Sequence, residues 1–358
     1  MTLRIAALFA AAWLAACAAP QATTVPMPEP PPPPAWALVI HGGAGVIERA
    51  QMDAPTEAAY RAAMNAALDR GAAVLSRGGS SLDAIEAVIH GMEDDPLFNA
   101  GRGAVFTAEG TNELDASIMD GATLKAGSVA GVTTVRHPIT LARRVMEQSP
   151  HVMLVGAGAE AFARTQNLEF VDPSWFFTER RWRGLVQELQ KRGWPVPPRP
   201  AGAPPPPTSR LMPDDSDRKF GTVGVVALDR SGNLAAGTST GGTTAKRWGR
   251  VGDAPIIGAG TYASNTSCGV SATGTGEYFI RLTVAREICA LSEYRGMTVQ
   301  AAADEVIQRR LTAIGGDGGA IVLSPRGDVA WSFNTSGMYR ASVTSAGDRR
   351  VAIFKDEP

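Results

Sequence analysis

Gly221-Thr222-Val223-Gly224 joins two stretches of opposite character. Upstream, residues 195–220 are rich in proline and carry no apolar period. A structureless stretch of that length inside a folded chain is uncommon and is usually functional or disordered. Downstream, residues 222–229 read as a buried strand. A glycine before a threonine, where loop meets strand, is what a chain that cuts itself needs. A residue without a side chain leaves its carbonyl open to attack by the next residue's hydroxyl. Cleavage would give Thr222 a free α-amine with an unperturbed pKa of about 7.7–8, able to take the proton from its own hydroxyl near neutral pH. The competing reading is a strand that begins with a β-branched residue after a loop. The rest of the chain decides between them.

The 358 residues are 44% hydrophobic, enough for one large α/β domain or two ordinary ones. Their 34 basic and 35 acidic side chains nearly cancel, which gives no footing for a nucleic-acid or acidic-polymer partner. At the start, Arg4 precedes an apolar run over residues 5–13 and then Leu14-Ala15-Ala16-Cys17. That pattern reads as a signal peptide over residues 1–16 that resembles the bacterial lipoprotein type, with acylation expected at Cys17. Ala18, with no aspartate beside it, resembles outer-membrane sorting; an ordinary secretory signal is the alternative. The apolar run is shorter than the roughly 20 residues a membrane span needs. Residues 17–35 form a proline-rich tether with an unbroken run at residues 30–34, expected to be extended polyproline. Cys268 and Cys289 remain: an oxidising compartment permits a bridge between them, and two buried free thiols are equally open. No Cys or His spacing resembles a zinc site.

The order along the chain is strand, helices, linker, strands, helices, strands. A strand over residues 36–40 leads into His41-Gly42-Gly43-Ala44-Gly45. Helices are expected at residues 55–76 and 81–91, the second capped by Ser80 or Ser81. Two short strands fall within residues 105–119, a strand at 152–155, a helix at 159–164, and a charged helical stretch at 174–192. After the linker, residues 222–229 and 234–239 form a hairpin. Strands at 256–262 and 268–273, helices at 277–291 and 298–311, and strands at 320–323, 329–333 and 338–343 complete the chain. This order predicts an α/β fold of layered sheets covered by helices, with the linker interrupting one domain: residues 36–194 before it, 195–221 as linker, 222–358 after it.

Two other chemistries are weighed and set aside. His41-Gly42-Gly43-Ala44-Gly45 with Gly237-Thr238-Ser239-Thr240-Gly241 resembles a lipase-like oxyanion loop and nucleophile elbow. That order needs a histidine after the serine, yet His41, His90, His137 and His151 all precede Ser239. Gly274-Thr275-Gly276-Glu277 before a helix can cradle an anion, but it lacks the full dinucleotide or P-loop spacing.

From about residue 38 to the end, the chain resembles the plant-type L-asparaginases and isoaspartyl peptidases, threonine-type N-terminal nucleophile hydrolases. The resemblance is carried by the His41 glycine motif, Pro96-Leu97-Phe98-Asn99-Ala100-Gly101, and Glu113-Leu114-Asp115-Ala116 with Met119-Asp120-Gly121. It continues through Gly221-Thr222-Val223-Gly224, Thr238-Ser239-Thr240-Gly241-Gly242, Gly249-Arg250-Val251-Gly252-Asp253 and Thr273-Gly274-Thr275-Gly276-Glu277. It implies a four-layer αββα sandwich, self-cleaved between Gly221 and Thr222 into two chains that stay together, with self-association of two such αβ units.

By the same resemblance Thr222 is the nucleophile, Thr240 the hydroxyl that hydrogen-bonds it, and Thr273 with the Gly274 amide the oxyanion donors. Arg250 and Asp253 hold the substrate's α-carboxylate and α-ammonium, for which a planar guanidinium and a carboxylate are the matching groups. Asn99 and Gly276 also border the substrate. A zwitterionic head group places the scissile amide on the side chain, as in L-asparagine and β-aspartyl dipeptides. Catalysis needs no cofactor, and a structural sodium ion is expected on the carbonyls of Met92, Glu93, Asp95, Phe98, Ala100 and Arg102. Glu113, Asp115 and Asp120 have structural roles. The chain departs from the family at Thr243 and Ala245, where methionine and asparagine are usual, and at Trp248. All three are expected at the pocket mouth. A glycosylasparaginase-like amidase and a non-catalytic envelope protein that binds aspartate are the alternative functions. The expected setting is the bacterial envelope, with membrane contact only through the lipid on Cys17.

Overall fold

The computed structural model describes residues 33–205 and 221–357. The signal peptide, most of the tether, and residues 206–220 of the linker lie outside the described residues. Strand β1 (Ala37–Gly45) is buried along its whole length and runs between strands from the far end of the chain and from just after the linker. The eight-stranded sheet has the order β12 (Arg349–Phe354), β11 (Gly337–Thr344), β1, β5 (Val223–Leu228), β6 (Leu234–Thr240), β2 (Leu114–Asp120), β3 (Ala126–Val132) and β4 (Met153–Val155). Every pairing in it is antiparallel except β3 with β4. A second antiparallel sheet has the order β10 (Val329–Phe333), β9 (Gly318–Leu323), β8 (Gly269–Gly274) and β7 (Thr261–Ala263).

The two sheets lie face to face, β5 and β6 against β8. Helices α1 (Ala54–Ser76), α2 (Ser81–Glu93) and α3 (Pro138–Gln148) cover the outer face of the large sheet. Helices α4 (Gly156–Thr165) and α5 (Glu179–Arg192) follow in the chain; α6 (Gly276–Leu282), α7 (Val284–Arg295) and α8 (Val299–Asp304) belong to the small-sheet side, α7 and α8 packing directly on its outer face. The layering is the expected αββα sandwich. The alternation of β1 explains why both faces must be covered. Leu38 and Ile40 pack into the helix-side core, while Ala37 and Val39 pack toward the second sheet. Successive strand side chains point to opposite faces, so a strand buried on both reads as a continuous apolar run.

The structure corrects several boundaries. β1 continues through the glycine motif, with an irregularity between His41 and Ala44 where it pairs with β11. Residues 105–119 hold one strand, not two: Thr107 makes an isolated bridge to Lys246, and β2 starts only at Leu114. Of residues 256–262, only the end belongs to a strand, β7. The helix expected at 277–291 is broken at Thr283, whose left-handed backbone (φ 48°) separates α6 from α7. α8 passes into a π-helical stretch at Glu305–Leu311. β3, α3 and β12 had no counterpart in the sequence reading, because β3 is small-residue Ala-Gly-Ser-Val and β12 begins with two arginines. Ser80 caps α2 as expected, accepting from the Asp83 N–H at 3.1 Å. Cys268 and Cys289, both buried, are joined as a disulfide that ties β8's approach to α7.

Candidate active site

The site forms where β5 begins and β6 ends. These antiparallel neighbours pair Val223 with Ser239, which brings the adjoining Thr222 and Thr240 together. Their hydroxyl oxygens are 2.9 Å apart. Thr240 Oγ1 also accepts the Gly242 N–H at 3.0 Å, so one of its lone pairs is occupied and its orientation toward Thr222 is fixed.

Asn99 holds the other side of the junction with four hydrogen bonds. Its backbone N–H donates to the Gly221 carbonyl at 2.9 Å, and its own carbonyl accepts the Gly241 N–H at 3.0 Å. Its side-chain amide donates to the Gly242 carbonyl at 2.7 Å and accepts the Val105 N–H at 2.9 Å. The Gly221 carbonyl, the one Thr222 would attack, therefore already carries an aimed donor, which is what a developing oxyanion requires. A side chain at position 221 would begin 2.8 Å from Asn99 Cβ, so only glycine fits.

At the end of β8, Thr273 is fully buried and its hydroxyl has no hydrogen-bond partner among the described residues. A buried polar group left unpaired costs about 1–3 kcal/mol, and a catalytic role is one of the explanations such a group calls for.

Arg250 and Asp253 share one loop but do not pair with each other. Arg250 donates from Nε and Nη2 to the two carboxylate oxygens of Glu277 at 2.9 and 2.8 Å, a two-pronged fork that fixes its plane. Asp253 is buried, and its Oδ2 has no partner among the described residues. Its Oδ1 lies 2.8 Å from where a side chain on Gly276 would start, so Gly276 leaves room beside the carboxyl. Burial pushes the Asp253 carboxyl up to about 7, against the pull of its own backbone N–H and of Arg250. Glu277 is held below the usual carboxylate range by Arg250. The site thus offers an oriented guanidinium and a carboxyl that ionises near neutrality, a matched pair for a zwitterion.

Residues 34–353 match the sequence profile of a family described as Asparaginase. The chain belongs to the asparaginase family. It is 50% identical to the "Isoaspartyl peptidase" of Escherichia coli (strain K12) over 320 residues, 89% of this chain and 96% of that protein. It is 42% identical to the "Probable isoaspartyl peptidase/L-asparaginase 2" of Arabidopsis thaliana over 335 residues, 89% of this chain and 99% of the relative. It is 38% identical to the "Isoaspartyl peptidase/L-asparaginase" of Homo sapiens over 302 residues, 84% and 91% of the two.

Membership of the asparaginase family agrees with the fate of the lipase-like decoy. Ser239 points away from Thr240 into the helix layer, where its hydroxyl donates to Glu93 Oε1 at 2.6 Å. Burial raises the Glu93 carboxyl to about 8, which favours its neutral form near neutral pH. His41 is buried, and burial pushes its imidazole down to about 3. It joins a hydroxyl chain that the sequence reading missed. His41 Nε2 lies 3.0 Å from Ser271 Oγ, which lies 2.7 Å from Thr238 Oγ1, which lies 2.5 Å from Thr261 Oγ1. Ser117 Oγ then lies 2.8 Å from Thr261 Oγ1 and donates to the Ala254 carbonyl, beside Asp253, at 2.6 Å. The chain ties both sheets to the clamp loop. Its signal was present as hydroxyl residues on inward-facing positions of four strands, but only the facing of the sheets assigns partners.

Glu277 was quoted only as the end of a motif; the structure makes it the partner of Arg250. Asp115 is fully buried opposite Thr240, with Lys246 as its neighbouring positive charge. Lys246 Nζ donates to the Glu113 carbonyl at 2.9 Å, in keeping with structural roles for both acids. The pocket-mouth expectation fails for Ala245. It is buried in a cluster with Phe106, Phe177 and Trp182 under α5, because apolar surface there is covered by that helix. Trp248 is 93% exposed.

The loop expected to hold sodium folds around carbonyls. A side chain on Gly103 would start 1.9 Å from the Phe98 carbonyl oxygen, and one on Gly101 would start 2.3 Å from that of Glu93. Both glycines thus let the chain pass directly against loop carbonyls. Among the described residues no cluster of His, Cys, Asp and Glu suits another metal.

Proposed function

We propose that this protein is an autoprocessing amidohydrolase that cleaves the side-chain amide of L-asparagine and the isopeptide bond of β-aspartyl dipeptides. The observation that carries the reading is the 2.9 Å contact of Thr222 with Thr240 beside a Gly221 carbonyl that already accepts an N–H. In processing, Thr222 Oγ bonds to the Gly221 carbonyl carbon, the C–N bond breaks, and the hydroxyl proton passes to the departing nitrogen. Water then hydrolyses the ester and leaves Thr222 with a free amine. In turnover that amine takes the hydroxyl proton, Thr222 attacks the substrate's side-chain carbonyl, and the amine or ammonia leaves. Thr273 and the Gly274 amide stabilise the oxyanion, and water releases aspartate from the ester. Arg250 and Asp253 hold the α-carboxylate and α-ammonium, which favours this reading over a non-catalytic binder. Gly221, in place of the aspartate usual in glycosylasparaginases, favours it over that amidase.

A sodium ion on the carbonyls of Met92, Glu93, Asp95, Phe98, Ala100 and Arg102 would stiffen the loop that carries Asn99; it has no part in the chemistry. Two αβ units are proposed to associate, a reading helped by the exposed apolar edge strand at Val152, Met153 and Val155 and tested by sedimentation. The protein is proposed to be an envelope lipoprotein anchored at Cys17, with residues 17–35 as tether. The Cys268–Cys289 bridge accords with an oxidising compartment. Fractionation of Cys17→Ser checks this: release from the membrane pellet, or blocked processing, is expected.

The deciding assay compares ammonia release from L-asparagine with cleavage of β-aspartyl-leucine by purified protein. Turnover of neither substrate would sink the proposal. A pH series adds a sharper expectation. Asp253 must be ionised to receive the ammonium, so kcat/KM should fall as pH drops through about 7, with the loss carried mainly by KM. A KM flat from pH 8 to 6 would remove Asp253 from substrate binding.

A further inference from the structure

The junction touches one charged side chain that neither the motifs nor the clamp account for. Arg181 lies in the first turn of α5, where its N–H donates to the capping Thr178 hydroxyl at 3.3 Å. Its Nε donates to the Gly103 carbonyl at 2.7 Å, which holds the guanidinium on the loop beside the junction. Nη2 lies 3.5 Å from where a side chain on Gly221 would start. Arg180 braces the same loop from beside it, donating to the Pro96 and Leu97 carbonyls at 2.9 and 2.8 Å. Between these groups is a cavity of about 10 Å³, lined by Gly42, Tyr60, Leu97, Arg181, Gly221 and Tyr339. That volume is roughly one water molecule.

We propose that Arg181 promotes self-cleavage through its charge, acting beside the junction and apart from the residues that turn over substrate. The inference rests on the self-cleavage reading above. When Thr222 Oγ adds to the Gly221 carbonyl carbon, negative charge develops on the Gly221 oxygen. Asn99 supplies one N–H there, and the Arg181 guanidinium, beside the same residue, adds positive charge to the field around it. When water hydrolyses the ester, the Gly221 oxygen becomes part of a carboxylate. A guanidinium is the cation best shaped to hold that group. Arg181 thus lowers the barrier to the cut and retains the new chain end against religation. The small cavity has room for about one water beside the junction. Arg250, by contrast, faces Glu277 on the clamp loop and does not touch Gly221.

The test follows the appearance of the two fragments by denaturing mass analysis, from freshly folded full-length chain. An uncut wild type would overturn the self-cleavage reading itself; the difference between wild type and variant tests Arg181 alone. Arg181→Ala is expected to cut at least about tenfold more slowly, a smaller effect than the roughly 10²–10³ of losing an aimed oxyanion donor. Millimolar guanidinium is expected to restore much of the rate, and Arg181→Lys to fall between the two. A role in holding α5 to the loop would instead lower the melting temperature and would not respond to guanidinium. Cutting of Arg181→Ala at the wild-type rate, or slow cutting that guanidinium leaves unchanged, would overturn the assignment. Should the alanine variant fail to fold, Arg181→Lys cutting at the wild-type rate with no guanidinium response would overturn it equally.

Discussion

Thr222→Ala is expected to remain one intact chain and to lose turnover by about four orders of magnitude or more. Removal of a nucleophile leaves only binding and oxyanion stabilisation behind, and these alone give a small residue of the rate. The variant should fold normally. Thr222 is half-buried at a strand entrance, its neighbours Val223 and Val225 carry the core contacts, and among the described residues its hydroxyl bonds to Thr240. Thr222→Ser keeps a hydroxyl and a prospective amine, and should still cut, more slowly because serine lacks the methyl group that limits rotation of the side chain. Mass analysis of each purified protein, followed by the ammonia assay, reads both effects. Two fragments from Thr222→Ala would move the cleavage point elsewhere.

Arg250→Ala is expected to lower kcat/KM for β-aspartyl-leucine by roughly 10²–10⁴, since each hydrogen bond to a charged group contributes about 1.5–3 kcal/mol and the N–H groups of Nη1 and Nη2 not given to Glu277 can supply two. Stability should change little. Glu277, left without its partner, is more than half exposed on its side chain and returns to water, and exposed pairs contribute about 0–1 kcal/mol. Arg250→Lys keeps the charge without the fork and should recover only part of the loss. Self-cleavage should proceed in both variants, because Arg250 does not touch the junction. An Arg250→Ala enzyme with wild-type kcat/KM would reduce the residue to a surface ion pair with Glu277.

The order of elements and the chemistry of single positions were legible because they depend on local pattern. A proline-rich segment cannot hold a strand or helix, a β-branched alternating run after it can, and the glycine between them is required by crowding that Asn99 imposes. The cap of α2 was readable from Ser80, whose side chain accepts an N–H three residues on, whereas the Asp53 cap of α1 was found only in the structure. Where local pattern is weak, the reading failed. β3 carries alanine, glycine and serine and holds its place through burial between β2 and β4 under α3. The helix after Gly276 looked continuous, yet Thr283 takes a left-handed backbone that divides it, a choice no propensity favours.

By itself the sequence determined that Thr222 follows glycine at a strand entrance, that a guanidinium and a carboxylate lie three residues apart on one loop, and that two cysteines were free to pair. Only the tertiary structure decided what each of these faces. The antiparallel register of β5 and β6 put Thr240 rather than Ser239 against Thr222, since a shift of one residue would turn every side chain to the other face. The packing of α6 beside the clamp loop gave Arg250 to Glu277 and left Asp253 buried with an oxygen unpaired. The approach of α5 brought Arg181 to Gly221 across a separation of 40 residues. Partners so far apart along the chain leave no periodic trace in it. They meet because burial of both faces of the sheets admits few ways to stack the layers, and the site forms where those layers end together.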